Sequence, residues 1–361
     1  MKSFTDQNAS NLAPLSVFSQ FLSLRCVDLH LKHDESSNML AIIAIHSTHL
    51  GPALGGCRFR AYPSIEHGII DAIRLAHGMS YKAAISNLPF GGGKAVIIQT
   101  PQMTNRTEIF RSFGQFVQEL GGRYITAEDS GTGVEDMDVI RTVTPFVTGN
   151  SSQKFICKDP SPLTAIGVRR GIQAAVKHHL HRDTLAGIHV AICGAGHVGY
   201  YLAKELHQLG ARLTITDIKP ETTERCADEF HATPVSPQDI HKVESDVYAP
   251  CALSNAVSFE NIDEINAKII AGSANNQLES PLLAERLMQK GILYAPDYVI
   301  NAGGLIHVAA QYNNQTENMA KENIENIYNT LLMLFERAAK ENVSPLDVAN
   351  RLAEQRLYFS N

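Results

Sequence analysis

Residues 188–199 read Ile-His-Val-Ala-Ile-Cys-Gly-Ala-Gly-His-Val-Gly, and the fold turns on them. The apolar run 188–193 predicts a strand, and 198–209 predicts a helix with Gly194, Gly196 and Gly199 between and at its start. A glycine triplet alone is weak, because such triplets also mark tight helix–strand contacts. The setting of this one, strand before and helix after, is that of a dinucleotide site, where the helix N-terminus faces a pyrophosphate. The first glycine permits the turn, the second lets backbone approach the phosphates, and the third lets the helix pack on the strand. A second strand at 213–216 ends in Asp217, 217 − 199 = 18 residues beyond the last glycine. A carboxylate there accepts hydrogen bonds from a ribose and repels a 2′-phosphate, which favours NAD over NADP. An ordinary α/β turn with a surface aspartate is the alternative; strand, spacing and acid together weigh against it.

Strand and helix patterns alternate outward from this point. Pro160 and Pro162 punctuate a polar stretch over 148–162, with Ser161 as N-cap and Pro162 at the first helical position. A helix over 164–178 follows, then short strands at 246–249, 269–271 and 292–294, and helical sequence over 316–358. The pattern at 319–339 reads as a core or inter-domain helix. Alternation of this kind means βαβ units and a parallel sheet with helices on both faces. Before the polar stretch, 39–47 reads as a strand leading into a glycine-rich turn at 51–56. From Ser64 a helical period runs through Ile65, Ile69, Ala72, Ile73 and Ala76. A strand at 95–98, a helix at 104–120 and a strand at 123–127 complete this half. The expected fold is α/β: an N-terminal α/β domain of 1–148 plus about 340–361, and a doubly wound, Rossmann-like NAD-binding domain of 149–339, with the active site in the cleft between them.

Composition bounds the rest. The 361 residues carry 31 Lys+Arg against 37 Asp+Glu, a net charge of −6, with 44% hydrophobic and 19% charged residues. That excludes wholesale disorder and fibrous repeats. Mild acidity with no basic run argues against nucleic acid or acidic membrane as a partner. No apolar stretch approaches 18 residues, and the first fifteen are polar, so neither a transmembrane helix nor a signal peptide is expected. Cysteines at 26, 57, 157, 193, 226 and 251 form no CxxC pair and suit reduced thiols in a cytoplasm.

A second glycine cluster, Gly91-Gly-Gly-Lys94, is no P-loop: position 88 is Leu, and Ala95 stands where Ser or Thr would hold magnesium. What remains is Lys94 beside backbone that other groups can approach, with Lys82 twelve residues earlier (94 − 82). Lysines are mostly solvated surface residues, but both of these adjoin apolar or glycine-rich sequence. His178, His179 and His181 suggest a metal, but no carboxylate or cysteine is spaced to close the shell, so none is expected. Cys57, Cys193 and Cys251 have no local base and read as inert thiols.

The stretches LGPALGGCRFR (50–60), RLAHGMSYKAA (74–84), LPFGGGKAVI (88–97) and YITAEDSGT (124–132) resemble the Glu/Leu/Phe/Val amino-acid dehydrogenase family. So do DPSPLTAIGV (159–168), ICGAGHVG (192–199), DVYAPCAL (246–253), IIAGSANNQL (269–278) and APDYVINAGG (295–304). The likeness runs in order from about residue 26 to 355, and the leucine-specific members are nearest in wording. It implies NAD-dependent oxidative deamination of an L-amino acid to a 2-oxo acid and ammonium. It makes the first domain the substrate and oligomerisation domain. By resemblance, Lys82 binds the substrate carboxylate near the backbone of Gly55 and Gly56. Lys94 activates water against an iminium intermediate, and Asp129 moves protons to and from the amino group. Thr164 and Asn301 match positions near the nicotinamide, and Asn276 lies in a loop on the cofactor side. The chemistry agrees: hydride transfer is positioning work, whereas water attack needs a base. A second ammonium and burial both help a lysine act as a base; a carboxylate opposes it.

The side-chain pocket implied by the resemblance involves Leu54, Ala127, Leu305 and Val308. Glutamate-specific relatives place a lysine at the position of Leu54; without it a buried second carboxylate is unpaired and heavily penalised. A branched aliphatic substrate is therefore expected: leucine, isoleucine or valine, which one methylene hardly separates. Phenylalanine stays open, although Leu305 is bulkier than the valine of leucine-specific relatives. Asn361 comes sooner than the end of relatives with a longer basic tail. A homo-oligomer, a dimer by default, is expected, with the octamer of some relatives left open. Two other classes fit these residues less well. A catalytically silent NAD-binding sensor would not need Lys82, Lys94 and Asp129 together, and a hydroxy-acid dehydrogenase would call for a His base and an Arg.

Overall fold

The computed structural model describes residues 16–152, 159–252 and 254–359. Cys157 lies outside them. The chain divides into two units, Met1–Ser80 with Pro89–Ser152 and Tyr81–Leu88 with Gln153–Asn361. These boundaries differ from the expected ones: the segment from residue 340 groups with the second unit. Its partner from the early chain is Tyr81, whose hydroxyl donates to Glu354 at 2.9 Å.

The first unit contains α1 (Val17–Ser23), β1 (Asp28–Asp34), β2 (Met39–Ser47), β3 (Ala53–Arg60), most of α2 (Ile65–Ile85), β4 (Gly91–Ile98), α3 (Arg106–Glu119), β5 (Tyr124–Glu128) and α4 (Val134–Arg141). Its sheet runs in the order β1-β2-β4-β3-β5. β1–β2 and β2–β4 pair antiparallel; β3 pairs parallel with β4 and β5. β2 and β4 are almost wholly buried because both faces of the sheet are covered, as their uninterrupted apolar runs predict. Ile43, Ile45, Ala95 and Ile97 face Phe110, Phe113 and Met137 on one side. Ile42, Ala44 and Val96 face Ile69, Ala72 and Ile73 of α2 on the other.

The expected turn at 51–56 is instead largely strand β3, and the glycines at 91–93 lie inside β4 rather than before it. These glycines mark close approach, not a bend. A Cβ on Gly55 would sit 1.7 Å from the carbonyl oxygen of Gly93, and one on Gly92 would sit 2.1 Å from the amide nitrogen of Ser80. Their absence lets β3, β4 and α2 converge.

The second unit contains α5 (Ser161–Leu180), β6 (His189–Cys193), α6 (His197–Gln208), β7 (Arg212–Thr216), α7 (Pro220–Phe230), β8 (Thr233–Pro234), β9 (Ser245–Pro250), β10 (Ala267–Ile270), α8 (Leu282–Gln289), β11 (Leu293–Tyr294), α9 (Asp297–Ile300), α10 (Gly303–Tyr312), α11 (Glu317–Glu325), α12 (Ile327–Glu341) and α13 (Pro345–Glu354). The strand order is β11-β10-β9-β6-β7-β8, with each adjacent pair parallel. The chain goes one way from β6 and returns to β9 on its other side, so the order reverses between β6 and β9. Such a reversal opens a crevice at the carboxyl ends of the strands. The pattern at 319–339 breaks at Asn326 into α11 and α12. Pro160 rather than Ser161 is the N-cap of α5, and the Asp159 carboxylate accepts from the Ser161 amide at 2.8 Å. His181 closes that helix in a left-handed conformation, and the His178 ring lies 5.6 Å from that of Phe335. No helix among the described residues is long and apolar enough to cross a membrane.

Gly55→Ala should lose about 3 kcal/mol of unfolding free energy, because backbone must move to admit the methyl. Gly78→Ala in α2, where a Cβ meets nothing within 4 Å, should instead gain about 0.5–1 kcal/mol. Urea unfolding of the two variants checks the contrast, and equal effects would refute the close-approach account.

Candidate active site

In the first unit the polar groups meet where β3, β4 and the turn after β5 come together. Lys94, buried in β4, places its Nζ 2.6 Å from Oδ2 of Asp129. The Nε of Arg58, on β3, lies 3.1 Å from the same oxygen. A Cβ on Gly56 would meet the Asp129 Cβ at 2.8 Å, so this glycine leaves the room that the turn occupies. The turn is tied down independently. Asp129 donates its amide to Thr132 Oγ1 at 2.9 Å, and that hydroxyl contacts the Cys57 carbonyl oxygen at 3.0 Å. Arg106 of α3 donates to the Gly131 carbonyl at 2.6 Å and forks onto Asp136. Burial alone would raise the Asp129 carboxyl; the charges of Lys94 and Arg58, the Lys94 hydrogen bond and the Ser130 amide outweigh it and bring it down to about 2. Cys57, fully buried beside it, is pushed well above the ordinary thiol range by burial and by Asp129, as an inert thiol should be.

The expected pocket residues Leu54 and Ala127 are buried on β3 and β5, where Leu54 pairs with Ile125 and Gly56 with Ala127. The Gly55 carbonyl accepts from the Tyr124 hydroxyl at 2.6 Å.

The second unit holds the remaining residues. Gly194 has φ of 110°, and a Cβ there would meet Ala252 at 2.6 Å. Gly199 lets α6 come so near that a Cβ would sit 1.9 Å from the Gly194 carbonyl oxygen. Gly196 differs: it is the N-cap of α6, has no side-chain cap, and its Cβ position meets nothing within 4 Å. An uncapped helix start facing open space suits an anion. Asp217 accepts the Ala195 amide at 2.7 Å through Oδ2 and the Lys219 amide at 3.0 Å through Oδ1. A carboxylate offers about four lone-pair sites, so ribose hydroxyls still have places. These features fit a dinucleotide.

Lys82, near the end of α2, donates to Asn275 Oδ1 at 3.4 Å. That oxygen also accepts Asn301 Nδ2 at 2.9 Å, and the same nitrogen reaches the Ser273 carbonyl at 3.0 Å. Asn301 Oδ1 is buried with no hydrogen-bond partner among the described residues. An orphan acceptor of this kind needs a donor from outside the chain, and a carboxamide supplies one. Asn276 sits in the same loop with φ of 51°. Asp297 braces the loop, accepting the Gln277 amide at 3.1 Å, and burial raises its carboxyl despite that bond and the charge of Lys82. Thr164 Oγ1 donates to the Pro160 carbonyl at 3.0 Å; Leu305 and Val308 lie on α10.

The structure thus brings Lys94 and Asp129 together in one unit, and Lys82 and Asn301 together in the other. Sequence reading missed Arg58, Asn275 and Asp297. An arginine between buried Cys57 and buried Phe59 on an inner strand was the available signal for the first.

Residues 23–145 match the family model for the Glu/Leu/Phe/Val dehydrogenase dimerisation domain, and residues 214–358 match that for glutamate/leucine/phenylalanine/valine dehydrogenase. The chain is 48% identical to leucine dehydrogenase of Geobacillus stearothermophilus over 90% of its own length and 88% of the relative's. It is 43% identical to valine dehydrogenase of Streptomyces albus over 91% of each. Among solved structures, L-tryptophan dehydrogenase from Nostoc punctiforme superposes with a TM-score of 0.83 at 41% identity, covering 94% of this chain and 98% of that one.

Because the folded Asp129 carboxyl titrates at about 2 against 3.8 ordinarily, its ion pairs add stability that is fully present above about pH 4 and lost as pH falls through about 2. The stability gap between the native chain and Asp129→Asn should shrink by about 2 kcal/mol between about pH 6 and about pH 2. Urea titrations of both proteins measure it, and a gap independent of pH would contradict the ion-pair geometry.

Proposed function

The chain belongs to the Glu/Leu/Phe/Val dehydrogenase family and is an amino-acid dehydrogenase; from that premise we propose that it oxidatively deaminates a branched-chain or other apolar L-amino acid to the 2-oxo acid and ammonium, using NAD. The observation that carries this reading is the buried 2.6 Å pair of Lys94 and Asp129. NAD, when bound, supplies the hydride acceptor. Gly194, Gly196, Gly199 and the start of α6 hold the pyrophosphate, and Asp217 holds the ribose. Thr164 and Asn301 attend the nicotinamide end, and Asn276 lies in a loop on the cofactor side.

The remaining work belongs to the chain's own side chains. Lys82 receives the substrate carboxylate, with the backbone of Gly55 and Gly56 beside it. Lys94 takes a proton from the water that attacks the iminium carbon. Asp129 carries protons to and from the nitrogen, which leaves as ammonium. Leu54, Ala127, Leu305 and Val308 present only apolar surface to the substrate side chain, so a distal carboxylate has no counter-charge there. This supports leucine, isoleucine or valine over glutamate, as do the leucine and valine dehydrogenases among the relatives. The domain reading stays that of a substrate and oligomerisation domain and an NAD-binding domain, in a homo-oligomeric cytoplasmic enzyme.

NADH formation at alkaline pH with a panel of L-amino acids tests the reading. Leucine, isoleucine and valine should turn over with kcat/KM at least about 100-fold above glutamate. Lys94→Ala should lose two or more orders of magnitude in kcat while NADH still binds. A preference for glutamate would overturn the pocket, and unchanged kcat would remove Lys94 from the chemistry.

A further inference from the structure

A base must spend part of each turnover without its proton. For Lys94 this raises a difficulty: if it were the only cation on Asp129, neutralising it would strand a carboxylate whose side chain is 21% exposed. Arg58 removes the difficulty. Its Nε reaches the same Asp129 oxygen at 3.1 Å, and a guanidinium does not deprotonate in a protein. The other end of the fork is anchored: Nη1 lies 2.8 Å from Asp71 Oδ2 on α2, and that oxygen also accepts the Tyr62 hydroxyl at 2.6 Å. Two carboxylates from different elements therefore hold one planar cation in place.

We propose that Arg58 is a positioning residue of the reaction: it holds Asp129 as an oriented anion whether or not Lys94 carries its proton, and its own charge helps Lys94 release that proton. The proposal rests on the reading of Lys94 as base and Asp129 as proton carrier. The charged and titratable groups around the pair are Lys94 from β4, Arg58 and Cys57 from β3, and Asp71 from α2 with Tyr62 beyond Arg58. Arg106 from α3 and Asp136 from α4 stand farther off, on the Cys57 side. Arg58 is the one of these cations that touches Asp129 without serving as the base. A purely structural arginine would lower stability or kcat and leave the pH dependence alone.

The test is the pH profile of kcat/KM for oxidative deamination in Arg58→Gln and Arg58→Lys, with folding checked by circular dichroism and NADH binding. In Arg58→Gln the ascending limb should move to higher pH by about one unit or more, since a neighbouring positive charge has been removed. Arg58→Lys restores the charge and should bring the limb back to within about 0.3 units, even if kcat stays reduced. Should Arg58→Gln fail to fold, Arg58→Met, which fills the stem without burying an amide, carries the same expectation. An unmoved limb in a folded neutral variant overturns the proposal, whatever happens to kcat. Lys94→Ala measured alongside separates the two failures. If it keeps full kcat, the base assignment falls and the Arg58 proposal with it; if it is inactive while the limb stays put, only the Arg58 proposal falls.

Discussion

A carboxylate oxygen held 2.6 Å from an ammonium and 3.1 Å from a guanidinium, against a largely apolar sheet, is the constraint that organises the first unit. Charges this largely withdrawn from water are stable only when paired and hydrogen-bonded. Here the pairing draws on β3, β4 and the turn after β5 at once, so the backbone has to bring those elements unusually close. Gly55, Gly56 and Gly93 are where that demand is met: side chains at these positions would collide with backbone, with the Asp129 turn or with the Tyr124 ring. Arg106 and Thr132 fix the turn through hydrogen bonds of their own. Packing and chemistry are one problem in this region, since whatever loosens the glycine contacts also loosens the ion pairs.

The second unit answers to a different constraint. A parallel sheet whose order reverses between β6 and β9 leaves a crevice at its carboxyl ends, and the residues there are arranged to leave polar groups open. The start of α6 lacks a side-chain cap, and Asn301 Oδ1 is buried without a donor among the described residues. Elsewhere Asp217 ties the glycine loop to β7 and Asp297 braces the 275–277 loop. Stabilised loops carrying unsatisfied groups are what a bound dinucleotide requires, because its binding energy is then not spent on ordering the protein.

The strand–glycine–helix unit at 188–209 was legible because its signals are local: apolar run, glycine spacing, helical period and a terminal acid all lie within one βαβ turn. Residues 51–56 read as a turn in the sequence because glycine most often punctuates chains; an inner strand that needs close neighbours spells itself the same way. β1, with Leu29 and Leu31 separated by polar residues on a sheet edge, gave only a faint alternation. α7 buries just Thr223, Cys226 and Phe230, too few for an apolar stripe to stand out. The joining of Lys94 to Asp129 spans 35 residues (129 − 94) and two elements, so nothing in spacing announces it; family likeness alone suggested it. Arg58 is hard to read from the sequence for the converse reason. A charged residue reads as surface until the strand around it is known to be interior.

The account turns on Asp129 being an anion clamped by two cations, and its ionisation can be observed directly. Carbon-13 NMR of aspartate-labelled protein, with the Asp129 carboxyl identified as the resonance missing from Asp129→Asn, follows that group through an acid titration. The account predicts a midpoint at about 2, below the 3.8 of an ordinary aspartate. A midpoint at or above the ordinary value would mean that Lys94 and Arg58 do not hold this carboxylate in solution.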